Sequence, residues 1–434
     1  MADTAPNSNT TETADASASA SECCYTYDVV IVGAGIIGLS IARHFLLHSY
    51  LSVAIVDAST PLSCAATGAG QGYLWMINKT PGTALWDLAM RSHQLWQMFV
   101  DTLQDQGIDP LQTVGWKKTG SLLIGRTKEE SDHLKERVQQ LAAVGLKAEY
   151  WPSNKLLLEE PELAVNTESC AAFLPEDDQI DVHGAVRSIE EDNKFFIPLN
   201  RYAEFYGDAA VCLLRSSKDG KIDGIKTNKN NILYAKKAIV VAAGAWTRSL
   251  MNKLTKDLDV KINVPVEPMK VYLLVFENLK SILTLNHATM EAGYVNYQRT
   301  SKSADSVSMT AAFDAKGNLL VGSSRQFVGF DKELDMNIVE QIWGRVQELF
   351  PALKKVSLES LSQEMKIRIG FCPYTPDGMP IIGSVPSMPN VYLATGHKDV
   401  GISMALGTAE LIADMVLGKS LEVDPVPFAV EDRC

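Results

Sequence analysis

No run of eighteen or more uncharged apolar residues occurs in this 434-residue chain. The nearest, Ile402 to Leu417, is interrupted by Glu410 and Asp414, so no membrane span is expected. Positive charge is also short: the formal net charge is -12, which argues against nucleic acid as a partner. The seven cysteines and seven histidines show no CxxC or HExxH spacing, and no metal is assigned. Only Cys23 and Cys24 are adjacent. An odd, scattered set of cysteines predicts a soluble protein of a reducing compartment, cytoplasm or organelle matrix. Residues 1–24 lack Lys and Arg, are rich in Ala, Ser and Thr, and carry four acids. They predict a disordered tail, without the arginines of a transit peptide or the apolar centre of a signal peptide. A plastid remains in view if a targeting segment was trimmed from it.

What is present is ample apolar content, 46% of residues, enough for one elaborated domain or two. Val29 to Val32 is β-branched throughout and reads as a fully buried strand. Gly38 to Leu47 reads as a helix, and Val53 to Val56 as a second strand ending at Asp57. That β-α-β unit implies a parallel sheet covered on both faces. Helical spacing recurs over Leu85–Leu103, Lys128–Leu146 and Val339–Phe350, with strands at Gly120–Gly125, within Val211–Val241, and over Val264–Phe276, Leu319–Arg325 and Asn390–Thr395. A long helix follows Gly401. No repeat and no long linker is seen, so two interleaved domains are expected.

Gly33-Ala34-Gly35-Ile36-Ile37-Gly38 fits GxGxxG between that strand and helix. Gly33 permits the tight turn, Gly35 lets backbone approach a pyrophosphate, and Gly38 lets helix and strand pack closely. The helix N-terminus adds unpaired N–H groups and a positive dipole end. Asp57, 24 residues after Gly33, is placed to accept ribose hydroxyls, with Ala58 beside it, and disfavours a 2′-phosphate. NAD and FAD both satisfy this much. Two small-residue stretches favour FAD: "AATGAGQG" (Ala65 to Gly72, with Thr67, Gly68, Ala69, Gly70 and Gln71), and "IVVAAGAWT" (Ile239 to Thr247, with Ala243, Gly244 and Trp246). Such density lets backbone lie against a flat group.

These motifs, followed by "YTPDGMPIIG" (Tyr374 to Gly383) and "ATGHKDVGISMALGTAELIADM" (Ala394 to Met415), resemble the FAD-dependent amino-acid and amine oxidoreductases, the family of D-amino acid oxidase, glycine oxidase, sarcosine oxidase and dimethylglycine dehydrogenase. The resemblance covers roughly residues 27–420. It implies an α/β fold: a Rossmann-type FAD-binding domain (25–83, 175–264 and 368–434) interleaved with a substrate domain on a mixed, largely antiparallel sheet (84–174 and 265–367). It implies that Gly396, Lys398, Asp399, Val400, Gly401 and Ile402 point at the flavin pyrimidine, where a helix N-terminus stabilises the charge of reduced flavin, with His397 adding to this. Val211 in the middle strands is assigned to the cofactor as well.

The reaction so implied is oxidation of a C–N bond in a small amine or amino acid, with dioxygen or another electron acceptor closing the cycle. Amino-acid substrates need a cation for their carboxylate. Glycine-oxidase-like members carry an arginine before the P-x-T-P-D-G run, where this chain has Cys372. Arg368, Arg299 and Arg325 are the candidate replacements; otherwise the substrate is an amine without a carboxylate. Sarcosine-oxidase-like members attach FAD through a cysteine in a C-x-Y-T stretch, which Cys372-Pro-Tyr374-Thr375 matches, with a spacing to the Pro-Asp pair two residues shorter. A buried, unreactive thiol is the expectation. Tyr294, Tyr297 and Trp75 are candidate aromatic walls. Two other functions fit the same scaffold: a 2-hydroxy-acid dehydrogenase, which would need a general base such as His183 or His397, and a flavin-binding assembly factor without catalysis.

Overall fold

The computed structural model describes residues 22–62, 65–293 and 306–434. The first β-α-β unit forms as its sequence requires. Strand Cys23–Val32 leads through Gly33 into helix Ile36–His48, and the chain returns in strand Val53–Asp57, parallel to the first. The opening strand begins at Cys23, inside the stretch expected to be tail, because Cys23 to Tyr27 pair with Asn231 to Ala235.

Around this unit lies an eight-stranded sheet. Its central path runs Ile381–Val385, Met388–Thr395, Asn231–Val241, Cys23–Val32, Val53–Asp57, Tyr202–Tyr206. The last five are mutually parallel and the first is antiparallel. Ala210–Arg215 and Ile222–Thr227 fold antiparallel onto the early half of Asn231–Val241. Residue parity in the opening strand shows both faces covered. Val29 and Ile31 pack with helices Ile36–His48, Val182–Lys194 and Gly401–Leu417. Val30 and Val32 pack with Met251, Leu254 and Val264 on the other side.

The second eight-stranded sheet runs Met365–Tyr374, Glu267–Phe276, Leu319–Arg325, Ser306–Phe313, Ala288–Glu291, Ser121–Gly125, Cys170–Leu174, Glu149–Pro152. It is mixed and largely antiparallel; Ala288–Glu291 beside Ser121–Gly125 is its parallel pair. Helix Met336–Leu349 covers one face, setting Ile342, Trp343 and Val346 against Tyr272, Leu274 and Phe276. The alternate residues, Val271 and Leu273, look into a cavity between the sheets.

Two boundaries differ from the sequence expectation. Residue 368 falls inside the strand Met365–Tyr374, which belongs wholly to the second sheet. Helix Ala84–Asp105, assigned above to the substrate domain, packs on the terminal helix Gly401–Leu417. Ser92 Oγ accepts from the Gly407 amide at 3.1 Å, Trp96 Nε1 donates to the Ile402 carbonyl at 3.0 Å, and Arg91 clasps Glu410 through two nitrogens. Helix-face complementarity, not chain order, decides where this helix goes.

Candidate active site

A cavity of about 770 Å³ runs from the glycine turn to the N-terminus of the last helix, between the two sheets. At one end, the three glycines of the turn have separable reasons to be glycine. Gly33 has φ +118°, and a Cβ there would lie 2.4 Å from the Ala242 carbonyl oxygen. At Gly38 a Cβ would lie 1.9 Å from the Gly33 oxygen. Gly35 is different. Its backbone is extended (φ -72°, ψ 174°) and open to any residue, and the nearest atom to a Cβ would be Thr67 Oγ1 at 3.4 Å, an ordinary contact. Among the described residues no atom crowds a side chain at 35, and Gly35 lines the cavity. Close approach of a ligand supplies the reason. Helix Ile36–His48 has no acid in its first turn. Its Ile36 amide donates to Thr67 Oγ1 at 3.3 Å, and among the described residues the amides of Ile37 and Gly38 are left for an anion.

Asp57 closes this end. Its Oδ2 accepts from the Ala34 amide at 2.7 Å, and its Oδ1 accepts from Ser59 N and Oγ at 2.8 and 2.9 Å. Oδ2 keeps acceptor capacity, and Asp57 lies on the cavity wall. Further along, Thr67, Ala69, Gly70 and Gln71 line the cavity. A Cβ at Gly70 would meet Ile402 Cδ1 at 2.4 Å. Gln71 Oε1 accepts from Thr310 Oγ1 at 2.7 Å, while its Nε2 is buried without a partner among the described residues. Opposite, Ala243 and Gly244 (φ +52°) turn out of the strand Asn231–Val241, and Thr395 Oγ1 donates to the Gly244 carbonyl at 2.9 Å.

At the far end, Lys398, Asp399, Val400, Gly401 and Ile402 line the cavity. Val400 precedes the terminal helix without a side-chain cap, so a second helix N-terminus faces the same space. Lys398 has φ +51°, held by its amide bond to the Pro373 carbonyl at 3.0 Å. Asp399 pairs with Arg325 at 3.3 Å. His397 is buried, with Nε2 2.9 Å from Thr408 Oγ1, and loss of solvation pushes its pKa down to about 3. It is a neutral imidazole. Burial also lowers the Lys398 pKa, against the pull of Asp399. The same cause pushes the Cys372 thiol up to about 12, so no thiolate nucleophile exists there near neutrality.

Of the residues expected at the cofactor, Gly33, Ala34, Gly35, Ile36, Ile37, Asp57, Ala58, Thr67, Ala69, Gly70, Gln71, Ala243, Gly244, Trp246, Lys398, Asp399, Val400, Gly401 and Ile402 line the cavity, as does His397. Gly38, Gly68, Val211 and Gly396 do not. Gly38 serves helix packing. The Gly68 carbonyl faces His183 Nε2 at 3.3 Å. Ala209 and Ala210 take the place foreseen for Val211. A Cβ at Gly396 (φ +77°) would meet Thr375 Cγ2 at 2.7 Å, so that glycine serves the turn.

Arg368 is not on the cavity wall. It pairs with Leu273 in the second sheet, and its charge lies close enough to His183 to lower that pKa, after desolvation. Four residues along a strand separate it from Cys372, about 13 Å. Arg299, Tyr294 and Tyr297 lie outside the described residues. Trp75 lines the cavity, stacked on Tyr73 with ring centres 4.1 Å apart.

The residue that sequence reading missed is Lys79. It is 7% exposed and lines the cavity, with Nζ donating to the Trp75 carbonyl at 3.0 Å and to Asn78 Oδ1 at 2.7 Å. Burial lowers its pKa to about 8, opposed by Asp177 and Asp399. The available signal was a lone lysine in an apolar stretch, "LWMINKTPG". That signal is weak, because loop lysines are usually solvated.

The whole arrangement fits a dinucleotide with a flat ring system: a phosphate seat at one helix N-terminus, an acid for a ribose, two small-residue stretches and a second helix N-terminus beyond. The family model for FAD dependent oxidoreductases, DAO, matches residues 28–415. The chain belongs to that family. It is an FAD-dependent enzyme. The chain is 24% identical over 410 residues to a glycine oxidase of Geobacillus kaustophilus, covering 94% of this chain and 97% of that protein. It is 24% identical over 442 residues to the hydrogen cyanide synthase subunit HcnC of Pseudomonas aeruginosa, covering 93% and 95%. The crystal structure of glycine oxidase from Geobacillus kaustophilus superposes with a TM-score of 0.76 at 22% identity, over 94% of this chain and all of that one. Among the described residues no helix is long and apolar enough to cross a membrane, and no group of His, Cys, Asp and Glu is arranged to hold a metal ion.

Proposed function

We propose that this family member oxidises the C–N bond of a small amine or amino acid to an imine, which then hydrolyses. When bound, FAD supplies the acceptor for the hydride lost from the carbon beside nitrogen. The protein's part is to hold that carbon in place and exclude water. Val271, Leu273 and Met290 give an apolar wall on the second sheet, with Thr310 and Ser323 as polar points.

The single observation that carries this reading is the state of the one histidine on the cavity wall among the described residues. Alcohol oxidation needs a base for the hydroxyl proton. His397 is neutral, bonded to Thr408 and pushed far down the pH scale. His183 lies off the cavity, at the Gly68 carbonyl. Lys79, also on the wall, spends two donors of its ammonium on the Trp75 carbonyl and Asn78 Oδ1. It stays protonated below about pH 8, so it does not serve as that base at neutrality. An amine with its lone pair free makes no such demand, which favours C–N over C–O chemistry. The name of one relative, a glycine oxidase, agrees with a small amino compound.

The test is anaerobic bleaching of the visible flavin band. The holoprotein is mixed in turn with primary and N-methyl amines, D- and L-amino acids and 2-hydroxy acids. Bleaching by a member of the amino set, with 2-hydroxy acids inert, is expected. Bleaching by hydroxy acids alone refutes the reading, and an inert flavin across the panel returns the assembly-factor alternative. Reoxidation of the bleached protein with dioxygen, read as hydrogen peroxide, separates an oxidase from a dehydrogenase.

A further inference from the structure

Among the described residues, three buried cations at the far end of the cavity stand against two carboxylates, Asp177 and Asp399. Lys79 and Lys398 line the wall, and Arg325 stands behind Asp399. Asp399 is engaged by Arg325 at 3.3 Å. Asp177, the acid that most strongly supports the Lys79 charge, is committed elsewhere. It accepts from the Met76 and Ile77 amides at 2.7 and 3.1 Å and from Ser121 Oγ at 2.6 Å. Burial raises the Asp177 pKa to about 6. The Lys79 ammonium itself has three N–H donors. Two meet neutral acceptors, the Trp75 carbonyl and Asn78 Oδ1. Its backbone is fixed by Arg137, whose Nη1 donates to the Lys79 carbonyl at 2.6 Å. Among the described residues this leaves a buried ammonium with neutral hydrogen-bond partners and one remaining donor, on the wall of the cavity that takes cofactor and substrate, an expensive arrangement unless an anion completes it.

We propose that Lys79 is the cation that receives the carboxylate of an α-amino acid substrate, in a chain whose candidate arginine Arg368 is off the cavity and whose position 372 is a cysteine. This rests on the amine-oxidation reading and narrows it, from amines in general to amino acids. Lys398 adds its charge to the same end of the cavity, so the site is positive before the substrate arrives. Lys79 is a positioning residue. It fixes the carboxylate end so that the carbon to be oxidised is held in one orientation, and it takes no part in bond breaking.

The experiment reads binding in the resting holoprotein, so it does not depend on turnover. Acetate, propionate and benzoate are titrated against the perturbation of the visible flavin spectrum, each beside its neutral amide. The wild-type protein is expected to bind at least one acid about 10- to 100-fold more tightly than its amide, the range for a charge-assisted hydrogen bond. Lys79→Met abolishes that preference while retaining FAD, and Lys79→Arg restores part of it. In the wild type, acid binding weakens as pH rises through about 8, where Lys79 loses its proton, and amide binding does not. That second measurement needs no variant. No acid-over-amide preference in the wild type, a preference kept by Lys79→Met, or a preference unchanged from well below to well above pH 8 would each overturn the assignment. Sulfite titration of the flavin provides the control. If Lys79→Met changes sulfite affinity and leaves the acid preference intact, the lysine serves the reduced flavin and the proposal fails. Should only hydroxy acids bleach the flavin, the C–N reading fails while this binding result stands.

Discussion

Replacing Gly35 and Gly38 separately by alanine distinguishes a glycine required by the fold from one required by the ligand. At Gly35 the backbone is already extended and the new methyl meets only Thr67 Oγ1 at 3.4 Å. Alanine is a poorer N-cap than glycine, a cost of up to ~1 kcal/mol. The loss of freedom in the unfolded chain returns about 0.4–1 kcal/mol. Apoprotein stability is therefore expected to change by no more than about 0.5 kcal/mol. FAD affinity behaves otherwise. The methyl stands where the pyrophosphate must approach, weakening one or two N–H bonds to a charged group at roughly 1.5–3 kcal/mol each. About 3 kcal/mol is a loss of affinity above a hundredfold. Gly38→Ala is the reverse case. Its Cβ would sit 1.9 Å from the Gly33 oxygen, so helix and strand must part, and a stability loss of about 3 kcal/mol or more is expected even without FAD. Urea unfolding of the apoproteins and FAD titration by fluorescence quenching give both numbers. Wild-type FAD affinity in Gly35→Ala, or an apoprotein as unstable as Gly38→Ala, refutes the placement of the phosphates.

Other outcomes follow from the titrating groups. Folded His397 holds its proton only near pH 3, while an unfolded histidine takes one up near 6.5. The unfolded state thus binds the extra proton, and this contribution to stability is lost as pH falls from about 6.5 toward 3. His397→Gln is expected to flatten unfolding free energy against pH by about 1.4 kcal/mol per pH unit between pH 6 and 4; an unchanged slope rejects the assignment. Acid precipitation of the wild-type holoprotein should leave the yellow colour in the supernatant, because the Cys372 thiol does not ionise near neutrality; colour retained in the pellet would mean a covalent bond. Asp399→Asn leaves the largely buried Arg325 without its carboxylate, and a loss of about 2–3 kcal/mol is expected. The double variant with Arg325→Met should recover much of it in thermal unfolding.

Local rules made the nucleotide end readable. A strand, a glycine turn and a helix must lie together because they are contiguous, and Gly33, Gly35, Gly38 and Asp57 all fall where that logic puts them. The substrate end depends on pairings no local rule contains. Which end of the strand Met365–Tyr374 meets the cavity is set by its register with Glu267–Phe276, about a hundred residues earlier. That register puts Phe371 and Cys372 on the wall and leaves Arg368 off it. Lys79 is a still longer inference. The Met76 and Ile77 amides are tied to Asp177, a hundred residues on, and nothing in "WMINKTPG" announces such a partner.

The displaced helix Ala84–Asp105 has a mechanical consequence. One hydrophobic core contains Val29 and Ile31 of the first sheet, Leu123, Leu174 and Met290 of the second, and Trp96 and Phe99 of this helix. Interiors packed in this way transmit displacement instead of absorbing it. The N-terminus of the terminal helix, which borders the cavity at Gly401 and Ile402, is held from behind by Trp96 at the Ile402 carbonyl and by Ser92 at the Gly407 amide. The second sheet supplies the opposite wall through Leu273 and Met290. The distance between the two walls is therefore fixed by a core that both sheets share, not by a hinge between separate bodies. A substrate held at Lys79 meets a rigid frame, and fine positioning of its reacting carbon can then come from a single charged contact.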